Sequence, residues 1–153
     1  MLKFILFLMQ SLPESSGMIA FSLALVRVKL RWGIILAAGL VSTLIIYFIR
    51  ELPVAFGLHT VVSMLLMAVF ISKATKVLPS RSFAAVFACF ALLALLEAIM
   101  YEATARLLNR EIKDIMSDYL LWRITGLPQA LLMNIAAVLM SRYRKPMEGM
   151  WKI

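Results

Sequence analysis

Ile49-Arg50-Glu51-Leu52-Pro53-Val54-Ala55-Phe56-Gly57-Leu58-His59-Thr60 is a short polar knot between two apolar runs. An adjacent charge pair, a proline, a glycine and the chain's one histidine fall within twelve residues. One apolar run ends at Arg50 and the next begins after Pro53. Such a knot is read as the place where one membrane span ends and another starts. Pro53 suits the first turn of the second span, where a backbone N–H has no partner to lose.

The runs on either side have the same character. The chain has 153 residues, 63% of them hydrophobic and 16% charged, and its mean hydropathy is +0.95. An average soluble domain carries about 25% charged residues. A soluble protein of this length has too little interior to hide so much apolar surface. Several runs reach the ~20 residues that cross a bilayer. The expected fold is therefore all-α: a polytopic membrane helix bundle with spans at about 2–26, 32–49, 53–72, 82–101 and 127–140. The segment 102–121 reads as an amphipathic helix on the membrane surface, with Leu108, Ile112, Ile115 and Tyr119 on one face. Six spans result if that segment dips inward. Residues 1–145 form one transmembrane domain and 146–153 a short tail, with no internal repeat.

Within the first span, Leu12-Pro13-Glu14-Ser15-Ser16-Gly17 predicts an interruption. Gly126 and Pro128 predict a second break, just before the last span. Arg50, Pro53, Gly57, Gly126 and Pro128 are thus the structural hinge residues. In the fourth span Ala84, Ala88, Ala91, Ala94 and Ala98 make a stripe of small side chains, on which another helix could pack closely.

The net charge of +8 does not call for a nucleic-acid partner. Arg27, Lys29, Arg31, Lys73, Lys76, Arg81, Arg142, Arg144, Lys145 and Lys152 fall on one side of a five-span topology. Lys3, Arg50, Arg106, Arg110, Lys113 and Arg123 fall on the other. That excess places the C-terminus inside and the N-terminus outside. The expected partners are the lipid bilayer and a second copy or another membrane protein.

Ionisable and amide side chains within spans are costly and mark places of interest. His59, about 9 Å past Pro53, and Glu97, about 6 Å before Tyr101, come to similar depth on neighbouring helices. Gln10, Glu14 and Asn134 lie at comparable levels in the first and last spans. Two readings stand side by side. The five form a ligand-binding pocket open to the outside, for a peptide, an ion or a proton, or they pair across helices for structure alone. Catalysis has little to rest on. Cys89 lies about 12 Å along the helix from Glu97, with no activating neighbour. No Walker loop, dinucleotide fingerprint or metal-spaced cluster occurs, and no cofactor is expected. A lone cysteine forms no intrachain disulfide.

The knot also resembles a pattern in one known family. Arg50, Leu52, Pro53, Phe56, Gly57, His59 and Thr60 match an Arg-x-Leu-Pro-x-x-Phe-Gly-x-His-Thr motif. That motif occurs in the multi-span N-terminal sensory regions of quorum-peptide-type (GHKL) sensor histidine kinases of spore-forming Gram-positive bacteria. Gly126-Leu127-Pro128 is similar to a Gly-x-Pro turn there, and Glu97 has a counterpart. The resemblance implies a bacterial cytoplasmic-membrane protein that senses an outside ligand through helix packing. The residues stop at Ile153, where a kinase core would begin, which implies a stand-alone sensory region. His59, within a span, is not a phosphoacceptor. An accessory subunit of a membrane complex and a small transporter or channel are the competing readings.

Overall fold

The computed structural model describes residues 1–55 and 57–153, so Phe56 of the motif lies outside the described residues. The described chain is an all-α bundle of six helices: α1 Leu2–Leu25, α2 Trp32–Glu51, α3 Leu58–Ala74, α4 Pro79–Leu108, α5 Ile112–Ser117 and α6 Tyr119–Tyr143. α1, α2, α4 and α6 are long and apolar enough to cross a membrane, and α3 is a shorter apolar helix. At 1.5 Å per residue, α2 spans about 30 Å, α3 about 26 Å and α4 about 45 Å. α4 is therefore longer than the ~30 Å hydrocarbon layer.

The bundle is built around α1, which packs most extensively on α6 and then on α2 and α4. Ser16 to Ala24 are all buried, so this half of α1 has no outward face. A helix buried all round must be central. α1 is less apolar than α2 or α4, yet it is the most enclosed of the long helices. Its polar side chains, Gln10, Ser11, Glu14, Ser15 and Ser16, are tolerable because other helices surround them. The outer surface carries Leu36, Val41, Phe48, Val69, Phe87, Leu95 and Leu131, side chains suited to lipid.

Small residues set the closest approaches. Gly39 of α2 faces Ser16, where an added Cβ would lie 2.5 Å from its hydroxyl. Gly17 of α1 faces Asn134, 2.9 Å from its amide nitrogen by the same measure, and Gly126 of α6 packs directly on the Gln10 amide.

Several expected boundaries are corrected. α1 runs through Pro13 without a break. A proline deletes one backbone donor, and packing on α6 holds the helix together across the gap. Pro53 is not in the first turn of a helix. It lies in the connection from Leu52, and α3 starts only after Gly57, which caps it in the left-handed conformation at φ +87°. The amphipathic helix expected over 102–121 does not exist as one element. Its first part extends α4 to Leu108, and Asn109, at φ +51°, stops it in the left-handed conformation. α5 is one short turn beyond. Asp118 then begins α6, its Oδ1 accepting from the Leu120 and Leu121 N–H groups at 3.1 and 3.3 Å. The last span consequently starts at Tyr119, and Gly126 and Pro128 lie inside it rather than at a break.

The tail 146–153 is also part of the fold. Met147 N–H donates to Arg27 O, Lys76 N–H to Met150 O and Lys152 N–H to Ala74 O, each at 2.8 Å. The Trp151 indole donates to Lys29 O at 2.7 Å, and the Arg31 guanidinium lies 5.7 Å from that ring's centre. The tail thereby straps the α1–α2 and α3–α4 connections together at the end of the bundle that carries most of the cations.

Candidate ligand cavity

At the opposite half of the bundle a cavity of about 740 Å³ opens between α1, α2, α3 and α4. α1 contributes Ser11, Glu14 and Ser15, α2 Thr43 and Arg50, α3 His59 and Ser63, and α4 Glu97 and Tyr101. Trp122 of α6 and Met116 of α5 close one side. The alanine stripe explains why there is space. Ala91 and Ala94 line this cavity and no helix lies on them: all five stripe alanines are exposed. The stripe expected to receive a neighbouring helix is instead the floor of an open groove.

Three of the five expected pocket residues meet here: Glu14, His59 and Glu97. His59 is shallower than the boundary at Pro53 implied, because it falls in the first turn of α3. His59 and Glu97 face the same space without forming an ion pair. Among the described residues the ion pair within 4.0 Å is Arg106–Glu102, on the surface of α4. Arg50, expected only as a hinge residue, is a wall of the cavity, and its guanidinium lies 5.6 Å from the Phe7 ring centre.

Gln10 and Asn134 stand outside the cavity. Asn134 Nδ2 donates to Pro13 O at 2.9 Å and to Ala130 O at 2.8 Å, which ties α6 to α1 at the proline. That is structural pairing. Gln10 is one layer behind Glu14: its Oε1 accepts from Arg123 Nη1 at 2.9 Å, and its Nε2 reaches Glu14 Oε2 at 3.5 Å. Gln10 therefore links a buried arginine to the carboxylate in the cavity wall.

Arg123 was not among the expected site residues. It is only 6% exposed and sits among three aromatic rings, 5.0 Å from Phe7, 5.0 Å from Tyr119 and 4.5 Å from Trp122. Its Nε has no hydrogen-bond partner among the described residues. The rings' negative faces compensate for part of its desolvation. The sequence signal was available: an arginine inside Leu120-Leu121-Trp122-Arg123-Ile124, with Tyr119 one turn earlier. It was hidden by placing the helix start at 127.

Two serines and a threonine also organise the wall. Thr43 Oγ1 lies 3.3 Å from Ser11 O and 3.2 Å from Ser15 Oγ, fixing α2 against α1 beside Glu14. Cys89 is buried away from this group, its thiol 3.4 Å from Met18 O. Among the described residues no three His, Cys, Asp or Glu side chains converge as a metal site would require.

The comparisons with protein-family models, curated proteins and solved structures give no match for this chain.

Proposed function

We propose that this chain is a sensory module of a bacterial cytoplasmic membrane, in which the cavity between α1 and α4 takes a ligand from outside. One observation carries the reading. Glu14, Arg50, His59 and Glu97 come from four different helices to line one open cavity, and none is held in an ion pair within it. Charged groups are expensive to keep in spans and are normally paired. Groups without a charged partner can take one from an incoming molecule, which is what a receptor needs.

The chemistry of the wall fits a short apolar peptide with free ends. An ammonium group would meet the carboxylates of Glu14 and Glu97, a carboxylate would meet Arg50, and apolar side chains would lie on Ala91, Ala94, Phe87 and Phe90. No bond is made or broken. Binding would draw α3 and α4 toward α1, and the strap at the basic end would pass the shift to a partner. The excess of cations at that end supports the N-terminus outside and the C-terminus inside. The resemblance of the Arg50–Thr60 stretch to quorum-peptide-type sensor kinases supports the same reading.

The test is a titration of the purified protein, in nanodiscs, with a panel of short apolar peptides bearing free termini. Saturable binding is expected, weakened by Glu14→Gln and by Glu97→Gln. A panel without saturable binding, or binding that both substitutions leave untouched, rejects the reading.

A further inference from the structure

A second cavity, of about 550 Å³, lies at the basic end, between the end of α1, the start of α4 and the tail. Four of its thirteen lining residues are cations, Arg27, Lys76, Arg81 and Arg144, and the other nine are apolar. Among the described residues no carboxylate lines it. Two of the cations have structural duties: Arg27 Nε donates to Lys145 O at 3.1 Å and Arg144 Nη1 to Leu25 O at 2.8 Å. The side chains of Lys76 and Arg81 are exposed and make no hydrogen bond or ion pair among the described residues.

Four like charges around one opening repel one another and are neutralised when an anion enters. α4 adds to the attraction, because it begins here at Pro79 with no side chain capping its N-terminus. Unpaired N–H groups at a helix start favour an anion. Below the cations the cavity is floored by Ala84 and Ala88, the exposed lower part of the alanine stripe. The cavity therefore has a charged rim and an apolar bed on an exposed face of α4.

We infer that this cavity binds an anionic phospholipid, with the phosphate among Lys76, Arg81, Arg27 and Arg144 and an acyl chain along Ala84 and Ala88. A soluble anion would use the rim alone and leave the apolar bed exposed. A lipid covers both. Basic pockets between spans are the usual seat of anionic headgroups. The site is separate from the cavity of Glu14 and Glu97 and stands whether or not that cavity takes a ligand.

The experiment is native mass spectrometry of the detergent-solubilised full chain, offered equal amounts of phosphatidylglycerol and phosphatidylcholine. Preferential retention of phosphatidylglycerol is expected. The Lys76→Gln/Arg81→Gln double variant should weaken it about thirtyfold, since neither side chain holds the fold. A Lys73→Gln/Arg142→Gln control, at the same end but outside the cavity, should retain it. Equal retention of the two lipids overturns the proposal. So does an equal loss in the control, which marks diffuse surface attraction, or displacement of the lipid by millimolar inorganic phosphate, which marks a soluble-anion site. A circular-dichroism melt of each variant confirms that the loss is not unfolding.

Discussion

At the scale of single residues, two charged side chains that look alike in the sequence do different work. Arg50 and Arg123 both sit near the edge of an apolar run. Arg50 is exposed and faces the cavity, whereas Arg123 is buried on three rings with Gln10 as its hydrogen-bond partner. Arg123→Ala removes a charge-assisted bond and the aromatic stacking together, and should cost about 2–4 kcal/mol of stability. Arg50→Ala should stay within about 1 kcal/mol. Thermal unfolding in detergent distinguishes them. Gly126 makes a sharper test. Any Cβ there collides with the Gln10 amide, so Gly126→Ala should destabilise by about 1–3 kcal/mol through overpacking. Gln10→Ala removes the obstacle but leaves Arg123 without its partner. The double variant should therefore lose less stability than the two single variants summed, and a strictly additive double-mutant cycle would show that the two residues do not touch.

At the scale of elements, the sequence was informative about what is apolar and less so about where helices stop. Five apolar helices and a basic end were readable because hydropathy and charge are properties of whole runs. Boundaries depend on single residues acting in context. Pro13 and Pro128 read as breaks, yet each lies inside a continuous helix, and at Pro13 the Asn134 amide of α6 takes up the carbonyl. Gly57 and Asn109 end or begin helices through left-handed backbone, a role equally open to other glycines and asparagines in the chain. Of the pocket residues, Glu14, His59 and Glu97 were legible because an ionisable group in a span needs a reason. Arg123, behind the cavity wall, is not legible, because with Thr125, Gly126 and Pro128 it reads as a break in the apolar pattern. Asp118 is the residue that moves that boundary. Asp118→Ala should cost about 1 kcal/mol and increase amide exchange at Leu120 and Leu121 in hydrogen-exchange mass spectrometry, with the middle of α6 unaffected.

At the scale of the whole molecule, charge separation along the bundle predicts its orientation. Cys89 is buried and should stay silent toward a membrane-impermeant maleimide in intact cells. A cysteine introduced at Ser117 should label from outside, and one introduced at Glu148 only after permeabilisation. The reverse pattern would invert the proposed topology, along with the side from which the Glu14–Glu97 cavity is reached. The pairing of α1 with α6 has a consequence for synthesis. α1 leaves the ribosome before the helices it packs on, and of the long helices it is the least apolar, with Gln10, Glu14 and a row of serines along it. Its main partner, α6, begins only at Tyr119, after α2 to α5 have been made. Until α6 emerges, Gln10 lacks Arg123 and the carbonyl of Pro13 lacks Asn134. The nascent chain must wait with its centre unfilled until α6 packs on α1.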